Sequence, residues 1–496
     1  MKNSNYRRKI MAFCLSAALS LNTLGFSAFA ADVQTANTYN IVNPYENVDW
    51  SSFGQYKAAF HTHSTNSDGS NTREAVIEDH YAKGFDILTM GDHDTTTITW
   101  DQPGYGRGVG ANNPGIGAMS SARAAEIEAG LHRNGKGMIN VDYSNEQSAT
   151  AHIMTFWADF NNTARGNMPV FEKMAETIRT AEVLGGISHI NHPGRETGGS
   201  NANDAVSIAA SNNPATVRNY VDLFMGYPSL VGMEIVNKID NESKSDRILW
   251  DNILKQTMPE GRFVWGFSND DSHSINATGY SWNVMLMPEL NQSETRNAME
   301  TGAFYAVSRV DRLEGINRYR PNGVQVPGSG DANTLYLFNQ RTPGISNIEV
   351  NGSIITITGA DYDVIEWISG VDDSGRSKVI AQGASIDVSL YADVIENNYV
   401  RAHLKSDTGI AYTQPFGIEE TDLISVDLMA FVEKFNGNKN ALTITVTEIY
   451  SNGLVYDITE TFSINNNAEG VYAVGRYNVY VDTKGNQQIR QCYIIE

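Results

Sequence analysis

From residue 56 to about residue 310, short apolar runs alternate with longer stretches of helical periodicity; the runs lie at 85–90, 138–143, 186–190, 231–236 and 263–267. Such alternation predicts an α/β domain on a mainly parallel sheet or barrel. One helix begins with Asn71 as cap and Glu74 three residues on, stays apolar on one face through Tyr81, and stops at Gly84. Others are predicted at 168–184 and 120–131. Near 318–333 the text turns to "PNGVQVPGSGDAN" and helical patterning fades, which marks a boundary. The first domain therefore spans 45–330. Beyond it, period-two stretches such as "SNIEVNGSIITITG", "VIEWISG" and "NYVRAHLKS" predict a small antiparallel β-sandwich at 334–418. A further β-module follows at 419–496, with hairpin turns at Ser451, Asn452, Gly453 and at Lys484, Gly485, Asn486.

The amino terminus reads differently. Lys2, Arg7, Arg8 and Lys9 precede an apolar run at 10–26 and a small-residue site at Ala28 and Ala30, the pattern of a secretory signal peptide over residues 1–30. The run contains Asn22 and is short for a membrane span, so export without a remaining anchor is expected. Once the leader and its Cys14 are gone, Cys492 stands alone and no intramolecular disulfide can form. The formal charge of −21 includes four cations and no acids in that leader, so the rest is more acidic still. Such a surface repels nucleic-acid backbones and anionic lipids, and no stable nucleic-acid complex is expected.

Candidate chemistry starts at "FHTHSTNSDGS", residues 60–70. If 57–63 is a strand, its period of two puts His61 and His63 on one face, and Asp68 follows on the loop. Two histidines and a carboxylate suit zinc, manganese or iron. The arrangement recurs: Asp92, His93 and Asp94 follow the run at 85–90, Glu146 and His152 follow 138–143, His192 follows 186–190, and Asp271 and His273 follow 263–267. Carboxyl ends of strands are where α/β folds build their sites. Nine of the ten histidines fall between positions 61 and 273, which argues for a shared task. His80, His132 and His403 read as satisfied or solvated side chains, and His189 as a strand residue that could support a ligand.

Taken together, "HTHSTNSDG", "GDHD", "NEQSATAHIMTF", "SHINHPGR" and "DSH" resemble the PHP domain (polymerase and histidinol phosphatase) over about residues 56–310. The resemblance implies a distorted (β/α)7 barrel whose cleft binds up to three divalent metals. It also implies nine ligands: His61, His63, Glu146 and Asp271 for one part of the cluster, with Glu146 bridging, and Asp68, His93, His152, His192 and His273 completing it. Clustered cations make hydroxide near neutral pH and neutralise a phosphate ester under attack, so no side-chain nucleophile is needed.

Arg195, three residues after His192, can hold a phosphate by two parallel hydrogen bonds or form a surface salt bridge. Asp92 and Asp94 can accept from a ligand histidine's other ring N–H or serve a turn. The glycine-rich "DQPGYGRGVGANNPGIG" lacks a P-loop's Lys-Ser/Thr and is read as a flap or a plain surface loop, with Tyr105, Arg107 and Arg123 as candidate substrate contacts. The expected function is a secreted metal-dependent phosphatase or phosphodiesterase acting on a small-molecule phosphate ester. The alternatives are an amidohydrolase-like hydrolase of another ester or amide, and a noncatalytic secreted protein whose β-modules touch a cell surface or matrix.

Overall fold

Strand Gly54–Ala59 carries the chain to the site and sets the frame around it. In the computed structural model it pairs antiparallel with Ser281–Met287 and parallel with Ile87–Leu88, and Ile139–Asn140 continues the parallel run. The structure describes residues 39–106, 118–150, 152–161, 167–200, 202–240, 242–317, 341–420, 423–435, 439–450, 455–465, 467–484 and 488–495. A second sheet has the order Trp265–Asn269, Leu230–Asn237, Ile187–Ile190, Ile153–Phe156, Asn145–Gln147; its first three strands are parallel and its last two pairings antiparallel.

Strands Leu230–Asn237, Trp265–Asn269 and Ser281–Met287 are buried throughout, as strands covered on both faces are. Phe60, directly before His61, meets Phe156 and Phe267 edge-on at 6.0 and 6.1 Å, a rigid base beneath the site. Helices Val170–Val183, Pro214–Gly226 and Asp246–Thr257 place Ile178, Phe224, Trp250 and Leu254 in a core with Leu230, Met233 and Ile235. The first helix, Arg73–Ala82, is capped by Thr72, one residue later than expected. Asn71 is spent elsewhere: its Oδ1 accepts from the Ile275 amide at 3.1 Å. Ser120 caps Ser121–Glu128.

In two places the described residues show a different arrangement from the one expected. The sheets do not close into a seven-stranded barrel among the described residues. Ile87–Leu88 and Ile139–Asn140 each pair over two residues only, although the apolar runs around them are longer. Beyond them the sheets are joined by single bridges, Thr62 to Ser272 and His93 to Glu146, at the strands' carboxyl ends. The architecture is mixed α/β in two sheets, pinned together where the histidines lie.

Nor does 334–418 stand apart as its own sandwich. Ile41–Glu419 is one compact unit. Gly409–Tyr412 pairs with Phe304–Ser308, and Tyr399–Ser406, Val364–Val371 and Ser377–Gln382 extend the same sheet. Gly344–Asn351, Ile354–Ala360 and Ser385–Asp387 form a small sheet of their own.

In a second unit, strands from Leu423–Phe435 to Gln488–Ile495 make two three-stranded antiparallel sheets around Leu428, Leu442, Ile444, Val479, Val481 and Cys492. The leader at 1–30, the boundary at 318–333, Arg107 and the turn residues 451–453 and 485–486 lie outside the described residues. Among the described residues no helix is long and apolar enough to cross a membrane.

Candidate metal centre

Every strand end of the two parallel triplets faces one place. His61 and His63 follow Gly54–Ala59, His93 follows Ile87–Leu88, His192 follows Ile187–Ile190, and Asp271 and His273 follow Trp265–Asn269. Glu146 lies within Asn145–Gln147, and His152 directly precedes Ile153–Phe156. The turns are tight enough to hold non-glycine residues in the left-handed region, with φ of +59° at His152, +23° at His192, +54° at Lys238 and +43° at Asp271. Such strain persists only where the surroundings enforce it, and it collects at functional sites.

All nine residues singled out from the sequence converge. Glu146 is the hub: its carboxylate lies 2.7 Å from His93 Nδ1, 2.9 Å from His152 Nδ1, 3.4 Å from His61 Nε2 and His192 Nε2, and 3.6 Å from His63 Nε2. Asp271 Oδ1 lies 3.0 Å from His63 Nε2 and 3.4 Å from both His61 Nε2 and His273 Nδ1. Asp68 reaches His273 Nε2 at 3.3 Å and His93 Nε2 at 3.4 Å. His61 and His63 are sealed, whereas the Asp68 side chain is 45% and His273 31% exposed, so a ligand enters on the Asp68 side.

Whether these groups fit a cation is decided by where protons can sit. His61 Nδ1 lies 2.8 Å from Glu234 Oε1. Glu234 also accepts from Asn269 Nδ2, Asn237 Nδ2 and the His192 amide, at 2.9, 2.7 and 2.8 Å, so its carboxylate is saturated with donors. The neutral His61 ring is thus the Nδ1–H tautomer, leaving the Nε2 lone pair toward His63 Nε2 at 3.1 Å, Glu146 and Asp271. Asp271 Oδ1 is buried with no hydrogen-bond partner. Acceptors aimed at one another in a dry pocket repel unless positive charge lies among them. Four sets of ligand atoms meet this need, each within 4.8 Å: His63, Asp68, His93, His273; His61, His192, Asp271; His61, His63, Glu146; and His93, Glu146, His152.

The electrostatics state the same demand. Burial disfavours charge on His61, yet Asp271, Glu146 and Glu234 hold its pKa well above the ordinary value. Burial works likewise against His93, which Asp68 and Glu146 nevertheless lift to about 10. Glu146 and Asp271 stay well below the carboxylate range despite burial, held there by His152 and His61 in the first case and by His61, His63 and Lys238 in the second. For His63 burial prevails and its pKa falls.

Other candidates land differently. The Asp92 carboxylate accepts from the Ser64 amide at 2.7 Å, Ser64 Oγ at 2.8 Å and Ser67 Oγ at 2.9 Å, so it pins the loop between His63 and Asp68 instead of bonding the His93 ring. The ring's Nδ1 faces Ser148 Oγ and Glu146. Asp94 accepts from the Ala149 amide at 3.3 Å. Arg123 pairs with Glu78 at 2.6 Å and Glu126 at 2.9 Å at the surface. Tyr105 is exposed on a short strand. Arg195 is exposed in the turn Gly194–Thr197, and among the described residues its guanidinium has no ion pair. His80 Nδ1 donates to Val76 O within its helix, His189 stacks on Phe267 at 4.8 Å, and His403 lies against Arg401 and Tyr412.

Three residues escaped the sequence reading. Glu234 sits inside the run 231–236, where a charge in an otherwise apolar buried strand was the available signal. Lys238, just past the same strand, puts Nζ 3.1 Å from Asp271 Oδ2. Asn191 donates to Glu146 Oε1 at 2.8 Å.

No protein-family model matches the chain, and no curated protein does. Among solved structures it is similar to a two-domain protein containing a predicted PHP-like metal-dependent phosphoesterase from Bacteroides vulgatus, at 14% identity and a TM-score of 0.36, over 86% of this chain and 100% of that one. It is also similar to an amidohydrolase from Chromobacterium violaceum solved with bound sulfate and no metal, at 14% identity and a TM-score of 0.26, over 44% of this chain and 87% of that one. At these values neither likeness bears on what this chain does.

Proposed function

We propose that the protein is a secreted, metal-dependent phosphoesterase, a phosphatase or phosphodiesterase acting on a small phosphorylated compound. The observation that carries this reading is the convergence of nine histidine and carboxylate side chains, with Glu146 at their hub and Glu234 fixing His61 in the metal-binding tautomer. The ligand motifs, in their order along the chain, supply the phosphoester class. Divalent ions of zinc, manganese or iron, up to three, would be held by His61, His63, Glu146 and Asp271 on the floor and by Asp68, His93, His152, His192 and His273 toward the mouth. When bound, they lower the pKa of a coordinated water and neutralise phosphate oxygens.

The chain's own groups do the rest. Asp92 fixes the His63–Asp68 loop through Ser64 and Ser67. Arg195, exposed and unpaired among the described residues, offers a planar pair of donors to a phosphate. The second β unit is suited to a contact at the cell surface or matrix, outside the reaction itself.

The test is metal analysis of purified protein together with hydrolysis of nitrophenyl phosphate, bis-nitrophenyl phosphate and nitrophenyl acetate, with and without chelator. Chelator-sensitive turnover of a phosphate substrate is expected. Turnover of the acetate alone would replace this reading with an ester or amide hydrolase. Arg195→Ala should lower phosphoester kcat/KM by about tenfold or more, the loss of a charge-assisted hydrogen bond, with metal content unchanged.

A further inference from the structure

We propose that Lys238 is a specificity-determining residue of this centre, the cation that takes an anionic oxygen of the ligand once Asp271 is engaged by metal. The proposal rests on the metal-centre reading above and adds a recognition element to it.

Four observations support it. Lys238 lies just past the carboxyl end of Leu230–Asn237, a strand end of the two parallel triplets that brings none of the nine converging residues to the cluster. Its backbone is fixed on both sides: the amide donates to Asn269 O at 3.0 Å, the carbonyl accepts from Ser281 Oγ at 3.1 Å, and φ is +54°. The side chain is 31% exposed, so a ligand can reach it. Its ammonium meets Asp271 Oδ2 at 3.1 Å and Glu242 Oε1 at 3.2 Å, which among the described residues occupies two of its three N–H donors and leaves one.

The nine converging ligands are imidazoles and carboxylates, none a permanent cation. Asp271 divides its work between its oxygens: Oδ1 faces His61, His63 and His273, and Oδ2 faces Lys238 at 3.1 Å and, farther off, His192 at 3.9 Å. A cation at Oδ1 withdraws charge from the carboxylate and weakens its hold on Lys238. Glu242 keeps the ammonium at the lip, where its freed donor and positive charge suit an incoming oxyanion.

The experiment is calorimetric binding of inorganic phosphate, and separately of acetate, to metal-loaded wild type, Lys238→Met and Lys238→Arg, with metal content measured on each. Lys238→Met is expected to weaken phosphate at least tenfold at unchanged metal content, and Lys238→Arg to restore most of the loss. Phosphate affinity within twofold of wild type in Lys238→Met overturns the proposal while leaving the phosphoesterase reading intact. A parallel loss of metal and phosphate, rescued together by Lys238→Arg, also overturns it, because Lys238 then only supports Asp271. If wild type binds acetate and not phosphate, and Lys238→Met loses acetate, the role of Lys238 stands and the phosphoester reading falls. If wild type binds neither anion, the proposal is overturned.

Discussion

Two buried polar clusters sit in the same unit, and they differ in one respect: one is satisfied by the protein itself and the other is not. On helix Asp246–Thr257, Asp251 accepts from Arg401 Nε and Nη2 at 2.7 Å each, from Tyr399 at 2.9 Å and from Ser377 at 2.6 Å. Close by, Arg247 is shared between Asp240 at 2.8 Å and Asp311 at 3.0 Å, and Tyr412 donates to Asp311 at 2.5 Å. Each charge there has its opposite and each carboxylate its donors. In the cleft, by contrast, His61 Nε2, His63 Nε2 and Asp271 Oδ1 crowd within 3.0 to 3.4 Å with no hydrogen bond made by Asp271 Oδ1. Buried polar groups are expensive unless paired. A cluster that pairs itself serves the fold, and a cluster that leaves acceptors unmet is waiting for something to bind.

The sharpest way to break this contrast is to remove one carboxylate from each. Asp251→Ala leaves Arg401 buried and unpaired and should cost about 3–5 kcal/mol of unfolding free energy in denaturant titration, with metal content per folded molecule unchanged. Asp271→Ala should do the reverse. Metal-dependent turnover should fall by at least about a hundredfold, more than the loss of an outer partner. The stability of chelator-treated protein should fall by less than in Asp251→Ala, since His61 and His63 keep Glu146 as a partner and Lys238 keeps Glu242. Equal destabilisation by the two changes would show that the cleft, too, is a structural network.

A smaller effect is expected at the border between the two kinds of cluster. Glu234 is fully satisfied, yet it acts through His61 Nδ1 on the side that is not. Glu234→Gln keeps the volume and an acceptor for His61 but replaces one donor-saturated oxygen with an NH2. Metal affinity, read by competition with a chelating dye, should fall by about 10- to 100-fold. An unchanged affinity would mean that the tautomer is held without Glu234.

The contrast also explains what could be read from the chain. The nine converging histidines and carboxylates were legible because strand ends repeat a chemistry that random placement does not, and period two at His61 and His63 survived into the structure just past Ala59. Glu234 was missed because, mid-strand, one acid looks like an interruption of an apolar run until its partners at His61, Asn237 and Asn269 are known. The separate sandwich at 334–418 was misread for a related reason. Alternation in Gly409–Tyr412 is the same whether its neighbour is a strand of its own module or Phe304–Ser308, and the Arg401–Asp251 pair that ties the segment to the helix is long-range. The barrel is not seen closed by continuous ladders, because the apolar runs at 85–90 and 138–143 give ladders of two residues and the sheets then meet by single bridges beside His63 and at His93 and Glu146.

The smallest effect is one of pH, and it asks whether protons stand in for the cation. In the metal-free protein His93 is lifted from the ordinary histidine value near 6.5 to about 10, with burial opposing the shift and Asp68 and Glu146 outweighing it. A group with a raised folded pKa contributes stability fully below its unfolded value, and that contribution is lost as pH rises toward the folded one. The Tm of chelator-treated protein should therefore decline between about pH 6.5 and 10. Metal needs the same ring neutral, so its affinity gains over that window and the Tm increment on adding metal should grow as the metal-free Tm falls. His93→Gln cannot take the proton, and it should flatten both slopes in part without abolishing folding. A metal-free Tm that is level across this range, or a metal increment independent of pH, would mean that the cleft carries its crowded acceptors without compensating charge, and the distinction between the two clusters would fail.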